Sequence, residues 1–301
     1  MKKNFFLNFA IKNSFFYKSY LIYNLYFRNF KYLIKDSYSQ FGEDIFLQKY
    51  FNKNKGFFID LGCHHPFRYN NTFKLYKLGW RGLNIDLNQI SIDLFNLMRP
   101  KDKNLCIAIS DKIKKIKYYI PNKNLISPEI TADYNFTKKY KKHHGSNYET
   151  FYTESITWSF LEKKYSKILK KVDFLKIDIE GSDFKVLKSI NLKSIKPKLI
   201  MVEAPEFEKV IRKKIINYLK LRNYSIIYDN RLNIIFKKSN WYYKLKYSYK
   251  NFVPINIKKR PKYFVIFFLL ILWLALAPNL AINAVIGKNI KNAGMFKKPI
   301  L

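Results

Sequence analysis

Between residues 56 and 236 the chain passes through a series of apolar runs too short to be helices, and helix-patterned segments separate most of them. The runs are Gly56–Leu61, Gly82–Asp86, Asn104–Ile109, Asp173–Asp178, Lys198–Glu203, Tyr224–Tyr228 and Asn233–Phe236. The spacing between them predicts helices over Asn71–Leu78, Ile90–Leu97, Trp158–Leu169, Phe184–Ile190 and Phe207–Leu221. Near-continuous apolar strands that alternate with helices demand a mostly parallel sheet, because the crossover helices cover both of its faces. The last two runs are joined by the short polar turn "DNR", which reads as a closing antiparallel hairpin. The expectation is an α/β domain on a seven-stranded sheet, and a 48% hydrophobic composition supplies its core.

This domain is expected over residues 38–240, with appendages on both sides. Residues 1–37 are aromatic and basic. Phe16, Tyr20, Tyr23, Phe27, Phe30 and Ile34 repeat at spacings of four and three, which puts one apolar stripe on a helix. A helix lying on a membrane surface and a helix packed on the following domain both remain open. Early apolar residues are broken by Lys12 and Lys18, so no secretory signal is read there. Residues 121–156 interrupt the strand–helix rhythm with a long polar, Tyr-rich insertion, expected as a lid or binding loop. A basic linker (241–262) leads to residues 263–287, which carry no charge. Lys258, Lys259, Arg260 and Lys262 precede that segment; Lys288 and Lys291 follow it, in a basic tail (288–301). The segment is long enough to span a bilayer; an apolar tail packed on the domain or a partner is the other reading. The expected location is the cytoplasmic face of a membrane, with the catalytic domain in the cytoplasm. Cys63 and Cys106 make no disulfide scaffold and suit a reducing compartment. The net charge of +36 invites nucleic acid, phosphorylated glycan or anionic lipid. Its lysines are spread along the whole chain, which a generally basic surface also explains.

Ligands of open parallel sheets bind at the carboxyl ends of the strands. Here those ends carry Asp60 and Gly62, Asp86, Ser110 and Asp111, Asp178 with Glu180 and Gly181, and Glu203. So many acids in a lysine-rich chain suggest a ligand with several hydroxyls and a positive charge. Asp86 ends the second strand, where a carboxylate accepts both hydroxyls of a ribose. The first loop, "GCHHPF", lacks the G-x-G-x-x-G backbone that lets a pyrophosphate approach. S-adenosylmethionine, with one ribose, no phosphate and a sulfonium cation, fits that loop better than a dinucleotide.

At this point the chain resembles the FkbM-type methyltransferases, in "YSQFGED" (38–44), "FFIDLGCHHPFRYNNTFKLYKLGWRGLNID" (57–86), "CIAISD" (106–111), "VDFLKIDIEGSDFKVL" (172–187) and "IMVEAP" (201–206). The resemblance covers about residues 38–238. It implies a Rossmann-like class I methyltransferase fold that uses S-adenosylmethionine and acts mainly on hydroxyls of sugars or natural products. By position it places the cofactor's amino-acid head near Asp60, Gly62 and Cys63, the ribose on Asp86 and the adenine near Ser110 and Asp111. The glycine-rich form of the first loop is reduced here to Gly62.

Methyl transfer to an alcohol needs in-line approach of oxygen to carbon and removal of the hydroxyl proton. Asp178 is the expected catalytic residue, supported by Glu180. Lys176 shares a strand face with Asp178 and, inside a parallel strand, needs a carboxylate partner. A structural ion pair is the plainer reading of these residues. His64, His65 and Glu203 are candidates to line the acceptor site, and a turn role for the histidines stays open. Contiguous Cys63, His64 and His65 do not space ligands as zinc sites do. A site joining them to His143 and His144 is the weaker reading, and no metal is assigned. A divalent cation on Asp178, Glu180 and Glu203 is conceivable but not favoured. The expected reaction is O-methylation of a sugar, glycan or glycolipid precursor. The alternatives are an RNA ribose methyltransferase and a membrane-tethered non-catalytic binding protein. "DIEG" stands where base-amino methylation commonly uses an Asn- or Asp-Pro-Pro-aromatic loop, which argues against base-amino chemistry but not against ribose methylation; nucleic acid is not the expected partner.

Overall fold

The structure is a computed structural model that describes residues 14–52, 55–121, 130, 134, 137–138, 147–179 and 181–239. All of these lie in the first of two units, Met1–Asn240. Glu180, His143, His144, the linker at 241–262, the uncharged segment at 263–287 and the tail at 288–301 are outside the described residues. Among those described, no helix is long and apolar enough to cross a membrane.

The main sheet uses β1 (Phe57–Leu61), β2 (Arg81–Asp86), β3 (Lys103–Cys106), β7 (Val172–Ile177), β8 (Leu199–Glu203), β9 (Tyr224–Asp229) and β10 (Asn233–Lys238). Their order is β3-β2-β1-β7-β8-β10-β9. The first five are mutually parallel, and β10 runs antiparallel to both β8 and β9. This is the seven-stranded, mostly parallel sheet with a terminal hairpin expected from the apolar runs. Alternation along the strands builds a core on each face. Ile59, Leu83, Leu175 and Ile200 pack under α6 (Trp158–Leu169), α7 (Asp183–Ser189) and α9 (Lys209–Lys220). Phe58, Phe174, Leu199 and Met201 face the other way, onto Trp80 and onto Leu47 and Phe51 of α3 (Glu43–Phe51). Each such fully buried side chain contributes about 1.5–3 kcal/mol.

Two sequence expectations change. The run Asn104–Ile109 is two strands in different sheets: β3 ends at Cys106, and β4 (Ala108–Ser110) joins β6 (Tyr148–Thr157) and β5 (Lys115–Pro121) in a small second sheet. The break falls at Ile107, whose N–H is taken by the Asp86 carbonyl (2.9 Å). The insertion is therefore not all loop, because its last residues form β6, paired antiparallel with β5. Helix ends shift by a residue or two: α4 is Phe73–Lys77, α5 is Gln89–Met98, capped by the Asn88 side chain, and α9 starts at Lys209.

The N-terminal segment is α1 (Ser14–Tyr23), a π-helical turn (Asn24–Arg28) and α2 (Phe30–Leu33). It does pack on the domain, but through a different face from the one the periodicity marks. Leu21 and Leu25 bury themselves with Tyr38, Phe67, Phe73, Ile90 and Leu94. Asn24 and Asn29 are buried beside them. Of the six stripe residues only Tyr20 is half-buried; Phe16, Tyr23, Phe27, Phe30 and Ile34 are exposed.

Candidate active site

The chain runs outward from β1 to β2 and β3, then returns to place β7 on the other side of β1. This reversal, at the carboxyl ends of β1 and β7, is where sheets of this kind place the crevice that takes a ligand. Gly62 begins the first loop with φ +75°, and a Cβ there would stand 1.6 Å from the Asp178 carbonyl oxygen. The two loops are thus held backbone against backbone, and only glycine permits it. The N–H groups of Gly62 and Cys63 both donate to the Ile85 carbonyl (2.9 and 3.2 Å), which draws the loop over the end of β2.

Asp86 waits at that end. Its two oxygens accept the N–H groups of His64 and Asn88, each at 2.8 Å. Burial pushes its carboxyl up to about 6, and those two N–H groups hold it from going higher. Tyr118 of β5 stands within electrostatic range of Asp86 and Cys106, and its phenol is raised chiefly by burial. Ser110 is buried and donates to Asp111 (3.0 Å). That hydrogen bond is the main reason Asp111 titrates below its ordinary range. Burial raises both thiols: Cys63 far above its ordinary value, and half-buried Cys106 to about 11. Neither is a thiolate nucleophile at neutral pH.

Asp60 does not face the crevice. It is fully buried, accepts the Thr72 hydroxyl (2.9 Å) and pairs with Lys176 Nζ (3.1 Å). Lys176, opposite Asp60 in the register of β1 and β7, is 3% exposed. Its ammonium reaches Asp60, Asp178 (3.1 Å) and the Gly62 carbonyl (2.9 Å). Burial alone would lower its pKa; the carboxylates of Asp178 and Asp60 outweigh that and raise it. Lys176 is therefore a charged tie between the two loops. Asp178, 30% exposed, presents its carboxylate at the crevice. The loop behind it is closed by Asp183, which accepts the N–H groups of Ile179 (2.9 Å) and Gly181 (3.1 Å). Burial first, then the neighbouring Asp178 charge, raises Asp183 to about 6. Glu203 lies half-buried at the end of β8, one strand further along the same edge.

The two histidines separate. The His65 ring is buried, its Nδ1 accepting from the N–H groups of Phe67 and Arg68 (3.3 and 3.1 Å). Its proton then belongs on Nε2, which faces Asn24 Oδ1 at 3.2 Å. His65 is a turn residue and reaches no acceptor. His64 adopts φ 55° and takes Arg68 Nη2 at 3.2 Å. Burial, with Arg68 close by, keeps its pKa well below the ordinary value, so the ring is neutral. The rest of the loop is wired by residues that strand-end reasoning missed. Arg99, fully buried, donates to Thr72 (3.0 Å), Asn70 (2.7 Å) and the Pro66 carbonyl. Nothing local in the sequence marks Arg99. Asp183 had a signal, an acid in the first turn of a helix just after the loop. No group of three His, Cys, Asp or Glu among the described residues is arranged to hold a metal ion.

Further along the edge an open groove is lined by Phe41, Pro205, Phe207 and Leu232, with Asn230 and Arg231. Phe41 is displayed by a rigid loop. Glu43, fully buried, accepts the Phe41 N–H (3.0 Å) and the side chains of Asn230 and Asn233 (2.7 Å each). Asp44 accepts Ser37, Ser39 and the Tyr38 N–H. "YSQFGED" thus builds one wall of this groove.

A mostly parallel sheet with a glycine loop and carboxylates at its strand-order reversal is the architecture of an α/β domain of the doubly wound class. The model of the Methyltransferase FkbM domain family matches residues 60–226, more than half of the chain, and the chain belongs to that family. It is a methyltransferase. No curated protein and no solved structure matches the chain.

Proposed function

We propose that the protein is a class I methyltransferase that moves the methyl group of S-adenosylmethionine onto a hydroxyl of a sugar, glycan or glycolipid precursor. The observation that carries the cofactor reading is Asp86 at the end of β2, beside a loop that lacks the glycine-rich cradle of a pyrophosphate. Its oxygens each hold one backbone N–H and keep further lone pairs. A ribose diol brings two donors to them. Gly62, Cys63 and the carbonyls near them would meet the amino-acid end, and Ser110, Asp111 and Tyr118 flank the base. When bound, the cofactor supplies an electrophilic methyl group on a sulfonium.

The chain's own residues then have three tasks. Lys176 and Asp183 hold the β7 loop in one position. Asp178 accepts a hydrogen bond from the acceptor hydroxyl and points its lone pair at the methyl carbon. As the bond from the hydroxyl oxygen to the methyl carbon forms and the carbon–sulfur bond breaks, leaving its electron pair on a neutral thioether, the hydroxyl proton would pass to the Asp178 carboxylate. The groove of Phe41 and Phe207 offers apolar faces to a sugar ring, and Asn230 and Arg231 offer donors to its hydroxyls. The deciding assay is transfer from labelled cofactor into fractionated cell material. Label in lipid-linked glycans is the expected result; label confined to RNA would replace this reading with ribose methylation.

Two outcomes follow. Asp86→Ala should weaken S-adenosylmethionine binding by about 1.5–3 kcal/mol. Wild-type affinity should rise with pH through about 6 and then level off, because only the ionised carboxylate accepts both hydroxyls and their donation lowers its pKa in the complex. Calorimetry between pH 5 and 8 reads both. The uncharged residues 263–287, with lysines on both sides, support attachment to a membrane; the domain would lie on the cytoplasmic side, where S-adenosylmethionine is made. Deleting residues 257–301 should move the protein from the membrane fraction to the soluble one.

A further inference from the structure

From Ile22 onward the N-terminal segment presents an apolar face to solvent. Ile22, Tyr23, Tyr26, Phe27, Phe30 and Ile34 are all exposed, Phe27 and Ile34 by 70% each. Tyr23 and Phe27 stack with ring centroids 6.2 Å apart, so the stripe is one continuous surface. Contiguous aromatic patches of this kind on a folded surface mark a docking site. The segment cannot turn to hide them. Its inner face is committed to Leu21 and Leu25 in the core and to Asn24, which meets the buried ring of His65. Tyr17 adds a 2.6 Å hydrogen bond to Asp93 of α5.

The charges around the stripe select the partner. Lys18, Arg28, Lys31 and Lys35 are exposed on this segment, against one acid, Asp36, in residues 14–36. Long cationic side chains beside aromatic and aliphatic ones suit an interface in which apolar groups enter the acyl boundary and ammonium groups reach lipid phosphates. We propose that residues 16–35 form a preformed docking surface for an anionic lipid bilayer, separate from residues 263–287 and independent of the methyl-transfer reading. Being folded before contact, it loses little conformational entropy on docking. One side chain, His65, lies between this helix and the loop that carries Gly62 and His64.

The test uses the purified full-length protein with residues 263–287 held in a phosphatidylcholine nanodisc. Phe27→Cys in a Cys106→Ser background carries an environment-sensitive dye; the remaining thiol, Cys63, is buried. The probes are vesicles of phosphatidylcholine, with and without phosphatidylglycerol. The dye should report water before vesicles are added, then shift to an apolar environment with anionic vesicles only. The triple variant Arg28→Gln, Lys31→Gln, Lys35→Gln should lower the apparent affinity of that shift by about 100-fold, at roughly fivefold per juxtamembrane cation. A dye already in an apolar environment before vesicles are added would overturn the proposal, because another segment or a second copy then covers the stripe. A protein that sediments with vesicles while the dye stays in water would overturn it too, as would an affinity unchanged by the triple variant.

Discussion

Replacing Lys176 by methionine should destabilise the domain by about 3–5 kcal/mol, the cost of leaving a buried carboxylate without its cation. The size follows from where the partners sit. Asp60 has no exposure at all, and beside Lys176 only the Thr72 hydroxyl reaches its carboxylate among the hydrogen bonds described. Methionine matches lysine in length and satisfies none of its three acceptors. Urea denaturation of the isolated variant measures the loss. A double variant, Lys176→Met with Asp60→Asn, should regain part of it, because the uncompensated charge is gone. A single variant as stable as wild type would show that the ion pair contributes nothing net to the fold and that Asp60 is content with the Thr72 hydroxyl.

Asp178→Asn should lower turnover by about 10²–10⁴-fold while leaving cofactor affinity near normal. The carboxylate is 30% exposed, Asp60 still pairs with Lys176 when its charge is removed, and Asp183 fastens the loop backbone. The amide keeps the shape and one acceptor oxygen. It also brings an NH₂ group toward Lys176, and it cannot take a proton from the acceptor hydroxyl. Single-turnover rates with bound cofactor isolate the chemical step, and near-normal rates would reduce Asp178 to a brace. If a metal acted at this edge, a chelator would inhibit the wild-type enzyme and Mg²⁺ or Mn²⁺ would restore it. The placement of Asp178, Lys176 and Asp183 predicts no such sensitivity.

Much of the sheet was legible because strand burial writes itself into composition. A strand covered on both faces must be apolar throughout, so "FFID", "GLNID", "FLKID" and "LIMVE" stand out against a lysine-rich background. Strand ends were legible for the same reason: an acid that closes an apolar run marks where the strand reaches solvent. Asp86 and Asp178 lie at that edge. Asp60 closes a run equally well and yet points into the protein, because Lys176 stands opposite it in the neighbouring strand. No local pattern announces a partner 116 residues away.

The sequence by itself therefore determined the layer order, the terminal hairpin, the glycine at the first loop and the pairing demand of a lysine inside a strand. These depend on periods of two and of 3.6 residues, and on the cost of burying an unpaired charge, all of which are local or nearly so. Only the tertiary structure decided which polar groups are structural and which face the crevice. His65 and His64 are adjacent in the chain, but His65 is consumed by the turn and by Asn24, while His64 meets Asp86 with its backbone and Arg68 with its ring. The N-terminal helix shows the same limit. Its strongest apolar stripe faces solvent, because the inner face includes two asparagines whose burial is repaid by hydrogen bonds to each other and by the nearby ring of His65. A hydrophobic period ranks faces by transfer free energy, and it cannot see a buried hydrogen bond that a distant loop supplies.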